Sequence, residues 1–140
     1  VLVVLDSNIL LSALISPVGI PAAIHEAWFG GRFELVTCAE QMEEIRRASR
    51  YPKLRAILQP HLVGRMVNSM QRARVVALRE KRHEADDPTD SFLLNLADGA
   101  AVDWLVTGDK RSGLLARRKV GRAAIVGARV FCTKVLGVEG

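Results

Sequence analysis

Two short apolar runs, far apart in the chain, each end in an aspartate. VLVVLD closes on Asp6, and WLVTGD (104–109) closes on Asp109. Such aliphatic and β-branched runs are too short for helices and read as strands buried on both faces. Strands of this kind belong to parallel sheets covered by helices, and ligands bind along the edge formed by their carboxyl ends. Asp6 and Asp109 are therefore expected side by side, although either alone could be a polar stop or a helix N-cap. Two further acids have a comparable setting. Asp90 opens a helix, TDSFLLNLADGAA (89–101), that runs straight into the WLVTGD strand. Glu44 lies one turn into the helix AEQMEEIRRASR (39–50), which follows the strand FELVTC (33–38). Asp86 and Asp87 precede Asp90 in a charged loop, and the remaining acids read as solvated surface.

Carboxylates gathered a few ångströms apart cannot all ionise unless a cation offsets their repulsion. Mg²⁺ and Mn²⁺ prefer such oxygen ligands. A metal held by acids can activate a water and clamp the oxygens of a phosphate. Competing chemistries lack their residues. His25, His61 and His83 are scattered without zinc-ligand spacing, and no GxxxxGK[ST], GxGxxG or GxSxG motif occurs. Ser7, Asn8, Thr107 and Ser112 are small polar groups beside the acids, suited to orienting them or a metal's waters through hydrogen bonds. Helix capping is an equal reading for Ser7 and Ser112. No side chain stands out as a general base, so a carboxylate or the metal itself must serve.

The elements that would position these acids alternate along the chain. VLVVLD precedes a helix over 7–16, and PVGIP breaks it before a second helix over 22–29. After the helix over 39–50, Tyr51-Pro52 marks a stop, and a helix over 59–74 carries the stripe Leu62, Met66 and Met70, read as core. VVAL (75–78) could be a third strand, and 79–88 is a charged loop. GLLARRK (113–119) reads as a short helix or turn, AAIVG (123–127) as the last strand and ARVFCTKVL (128–136) as the closing helix. Strands alternating with helices predict an α/β domain, with right-handed crossovers placing helices on both faces of a parallel sheet.

With 140 residues, 49% apolar and 25% charged, the chain suits one domain over 1–140 with a single core, not a disordered segment. No apolar stretch reaches the ~18–20 residues that span a membrane, and Val1 opens directly in a strand-like run without a basic leader. Cys38 and Cys132 form no CxxC motif and read as buried thiols of a cytoplasmic protein. The net charge of +5 leans slightly toward a polyanionic partner. Arg46, Arg47 and Arg50 follow Glu44, with Lys53 and Arg55 close behind. Lys110 and Arg111 follow Asp109. Both clusters could form a basic rim that holds phosphates, though a plainly solvated face is an equal reading. The aromatics lie mostly in apolar patterns, which does not support base stacking.

DSNILLSAL (6–14), EEIRRASRYPKL (43–54), DDPTDSFLLNLA (86–97) and WLVTGDK (104–110) together resemble the successive motifs of PIN domains. They are most similar to the branch described as toxin components of toxin–antitoxin systems. The resemblance covers nearly the whole chain, in order. It implies a three-layer α/β/α sandwich around a parallel sheet of about five strands and a Mg²⁺- or Mn²⁺-dependent ribonuclease. Its acids match Asp6, Glu44, Asp90 and Asp109, and it implies a cognate antitoxin and a homodimer. Many members carry a further acid two or three positions after the last aspartate. Here that stretch is KRSG, with Ser112 near the place of the carboxylate, so either one metal ligand is missing or a water or that hydroxyl replaces it. Two alternatives follow: a PIN domain that binds RNA or an antitoxin without turnover, and another metal-dependent α/β phosphoryl-transfer protein. Against the second, no acid stands two residues after Asp6, as haloacid-type phosphatases need.

Overall fold

A computed structural model describes residues 1–78, 82–85, 88–108 and 113–137. The expected alternation is present: β1 (Leu2–Leu5), α1 (Ser7–Ile15), α2 (Ile20–Phe29), β2 (Glu34–Thr37), α3 (Ala39–Ala48), α4 (Pro52–Arg55), α5 (Pro60–Arg72), β3 (Arg74–Val75), α6 (Pro88–Gly99), β4 (Trp104–Thr107), α7 (Leu114–Arg117), β5 (Lys119–Val120), β6 (Ala123–Gly127) and α8 (Ala128–Val130), followed by a π-helical turn (Phe131–Val135). The sheet order is β3-β2-β1-β4-β6-β5. All neighbours are parallel except β5 and β6.

Alternate side chains of each central strand enter different cores, as the two-residue period of a strand requires. Val3, Leu5, Leu35 and Val106 pack with α1, α2, α3, α5 and the carboxyl-terminal turn. Val4, Val36 and Leu105 pack on the opposite face with Leu93, Leu94, Leu96 and Ala97 of α6 and Leu114 of α7. Burial on both faces explains the unbroken apolar runs in the sequence. The result is an α/β/α sandwich. Among the described residues, no single helix is long and apolar enough to cross a membrane.

The sheet has six strands where about five were expected. The additional strand, β5, is two residues long and pairs antiparallel with β6 through Val120 and Ala123. It lies inside GLLARRK and its flank, where Arg118 adopts a left-handed conformation (φ 62°) that ends α7 and reverses the chain. The expected strand at 75–78 is reduced to Arg74–Val75, extended by Val76 N–H donating to the Thr37 carbonyl at 2.9 Å. A short edge strand offers little unpaired backbone. The closing helix is only one turn of α-helix before it widens, and Leu136 N–H donates to the Phe131 carbonyl five residues back at 3.0 Å. That wider turn brings Phe131 and Leu136 into the same core, where Phe131 meets Phe33 edge to face at 5.5 Å.

At two turns, positive-φ glycines shape the path of the chain. Gly19 (φ 104°) turns the chain into α2, with Pro21 in its first turn. Gly121 (φ 58°) turns β5 into β6, and a Cβ there would stand 2.2 Å from Asp98 Oδ1 on α6. The β5–β6 turn therefore sits flush against the end of α6.

Candidate active site

Leu5 pairs with Val106, so the carboxyl ends of β1 and β4 are neighbours. Asp6 follows Leu5 directly. Its backbone N–H donates to the Val106 carbonyl at 2.8 Å, so the sheet ladder continues one residue past the strand. Its side chain caps α1, with Oδ1 accepting from Asn8 N–H at 3.1 Å. Its other oxygen, Oδ2, accepts from Thr107 Oγ1 at 3.0 Å. Asp6 is therefore both a helix cap and a strand-end acid. Only 4% of it is exposed, and two donors fix its orientation. Asp109, two residues beyond Thr107, lies outside the described residues, as do Lys110, Arg111 and Ser112.

Beneath Asp6 is a polar cluster that the sequence reading missed. Gln41, in the first turn of α3, is fully buried. Its Nε2 donates to the Leu5 carbonyl at 2.6 Å and reaches Ser7 Oγ at 3.4 Å. Its Oε1 accepts from Thr37 Oγ1 at 2.6 Å. Gln41 thus ties the β1–α1 junction to the β2–α3 junction. A signal was present: Gln41 lies four residues before Ile45 and one before Met42, on the apolar face of α3. Thr37 and Thr107 also occupy the same position, the last residue of a central strand. Ser7 is buried in this cluster, while Asn8 contributes its backbone N–H and is otherwise exposed.

Glu44 is half-buried, three residues after Gln41 on α3. At about 100° per residue, Arg47 lies about 60° from Glu44 around the helix, whereas Arg46 lies about 160° away and Arg50 follows the end of α3. The expected basic rim is therefore divided. Arg47 is on the flank of Glu44. Arg46, which pairs with Glu43 at 3.7 Å, and Arg50 turn toward a separate cleft with Arg55.

Asp90 is half-buried in the first turn of α6, which packs against β1 and β4. The segment leading to it is tied to the same helix. Asn95 accepts from His83 N–H at 2.8 Å and donates to the His83 carbonyl at 3.1 Å. Ser91 Oγ accepts from Ala85 N–H at 3.0 Å, and the His83 ring meets Asp98 at 2.8 Å. Residues 86 and 87 lie outside the described residues.

Among the described residues, no three Asp, Glu, His or Cys side chains stand close enough together to hold a metal ion. Around Asp6 the structure offers a carboxylate with the Ser7 and Thr107 hydroxyls, all of them hard oxygen donors. That donor chemistry fits Mg²⁺ or Mn²⁺ and does not resemble a soft thiolate or imidazole site. Burial pushes the Cys38 thiol up to about 11 and also raises that of Cys132. Both are buried and outside any disulfide, and a thiol held protonated is a poor nucleophile or ligand.

No curated protein and no solved structure matches the chain. The family model of the PIN domain matches residues 2–111. The match spans β1, β2 and β4, the three strands whose ends carry Asp6, Thr37 and Thr107. PIN domains are generally nucleases that act on RNA and typically use divalent metal ions. By sequence over most of its length, and by its mostly parallel α/β/α architecture, the chain belongs to the PIN domain family.

Proposed function

We propose that this chain, acting as one domain over 1–140, is an endoribonuclease dependent on Mg²⁺ or Mn²⁺. The observation that carries the reading is Asp6. It is almost wholly buried at the junction of two parallel strands and oriented by Thr107 Oγ1 and Asn8 N–H. A carboxylate fixed in this way is preorganised and needs no reorientation during reaction. Asp6, Glu44, Asp90 and Asp109 are the residues that would hold the ion. When bound, the ion supplies an activated water and charge stabilisation at the phosphate. Hydrolysis would form a bond from water oxygen to phosphorus as the ester P–O bond breaks; a carboxylate or the ion itself would take the water's proton, and the leaving oxygen would receive one. Thr107 and Gln41 keep the first strand end in register through Asp6 and Leu5. Arg47, on the flank of Glu44, would neutralise a phosphate entering the edge, and Lys110 and Arg111 would complete that rim.

The motif resemblance to toxin components extends the reading. The chain would act in the cytoplasm as the growth-inhibiting toxin of a type II pair, as a homodimer neutralised by a cognate antitoxin that covers the acidic edge. The test is incubation of the purified chain with single-stranded RNA, with and without Mn²⁺ or Mg²⁺, beside Asp6→Asn. Metal-dependent cleavage is expected, reduced roughly 10²–10³-fold in the variant, in the range seen when one preorganised electrostatic group is lost. A folded wild type that cleaves none of several RNAs with either metal would turn the reading toward a PIN domain that binds without turnover.

A further inference from the structure

The cleft on the other flank of α3 is not accounted for by the acidic edge. It has a volume of about 490 Å³ and is lined by Arg46, Arg50 and Arg55, with Leu58, Pro60 and Val63 of the α4–α5 connection and α5 as its aliphatic part. Arg46, in the last turn of α3, and Arg50, in the turn that follows it, both face the cleft. Arg46 shares its charge with Glu43. Among the described residues, Arg50 and Arg55 form no ion pair with a carboxylate, unlike Arg74 and Arg122, so within the cleft only Arg46 is charge-compensated. The cleft is also remote from the amino-terminal edge of the sheet. It lies at the start of α5, and that 13-residue helix ends at Arg72, beside Val1 and Glu34, about 20 Å further along by helix geometry.

We infer that this cleft is a second subsite for the substrate, holding the backbone of single-stranded RNA beyond the acidic edge. The inference rests on the ribonuclease reading and adds to it a path for the strand across α3. Guanidinium groups suit phosphate oxygens because their planar fork gives paired hydrogen bonds. The aliphatic part suits a strand whose sugars and bases are turned outward, which is how single-stranded RNA is recognised and a duplex is not. The volume matches a pocket for a small ligand and cannot admit a duplex.

The test is binding of a fluorescein-labelled 15-nucleotide single-stranded oligouridylate, read by anisotropy without metal across a salt series. The variants are R50Q/R55Q and, as a charge-matched control, R129Q/K134Q. Among the described residues, Arg50 and Arg55 make no ion pair, so their replacement breaks none, and circular dichroism checks the fold. R50Q/R55Q is expected to bind at least fivefold more weakly, with the slope of log K against log salt shallower by about 1.4, at about 0.7 per phosphate contact. The control and a 15-base-pair RNA duplex are expected to change less than twofold. Unchanged oligouridylate binding, an equal loss in the control, or an equal loss for the duplex would overturn the subsite. Failure of the ribonuclease reading is separable, because it shows as RNA binding without metal-dependent cleavage by the wild type. A wild type that does not bind the oligouridylate overturns both.

Discussion

Asp6 and Asp103 are diagonal counterparts. Asp6 is the residue after β1 and is held by Thr107 at the end of β4. Asp103 is the residue before β4 and is held by the Leu2 N–H at the start of β1, at 2.8 Å. The same two strands thus carry an aspartate at each end, each bound across to the other strand. Their surroundings differ. Asp103 also meets Arg122 at 2.7 Å in a partly exposed pair, and the hydrogen bond from Leu2 N–H, helped by Arg122, holds its carboxyl below the ordinary range. Asp6 is buried over a network of hydroxyl and amide groups. An exposed ion pair closes a sheet edge at little gain or cost. A buried carboxylate costs desolvation energy and persists where something uses it. The two ends of one strand pair therefore separate a closing ion pair from the buried carboxylate on which the proposed function rests.

The contrast predicts a graded series of effects. Thr107→Val keeps the shape and removes the hydroxyl that orients Asp6. Apparent Mn²⁺ affinity in the cleavage assay should fall about 10–100-fold, the usual range for a group that positions a ligand. An unchanged metal titration would break the contrast at its functional end. Gln41→Leu leaves the Thr37 hydroxyl and the Leu5 carbonyl without their partner in a buried site. Each orphaned group costs about 1–3 kcal/mol, so urea unfolding should show a loss of about 3 kcal/mol. A neutral result would mean that Gln41 fills space only. Asp103→Asn should cost about 1 kcal/mol or less. Because the folded carboxyl titrates below its unfolded value, Asp103 contributes stability above the ordinary carboxylate pKa and loses it as pH falls through the depressed one. The variant's unfolding curve should therefore run parallel to the wild type above about pH 5 and converge with it in acid. Convergence at high pH instead would contradict that sign.

Much of the fold was legible because it depends on local pattern. Runs such as VLVVL and WLVT carry their burial on both faces in their composition, and Asp6, which ends the first, stands at the carboxyl edge. What escaped depended on partners distant in sequence. Gln41 looks like surface in AEQMEEIRRASR until Leu5 and Thr37 are placed beside it. Arg46 and Arg47 look like one basic cluster, although adjacent residues on a helix face about 100° apart. β5 is too short to have a period and exists because Ala123 and Ala124 offer it an edge. The π-helical turn follows from the demand of one core for both Phe131 and Leu136.

Gly121 gives the hairpin at the far edge of the sheet a hold on the approach to Asp90. Its missing side chain leaves the space into which Asp98 fits, and Asp98 anchors His83. His83 belongs to the strap that Asn95 and Ser91 fasten along α6 just before its acidic first turn. Any side chain at position 121 would push on Asp98, and the strap would inherit the displacement. A residue that touches no acid of the carboxyl edge is in this way a tensioner for one of them, and its tolerance to substitution is set by a loop in another part of the chain.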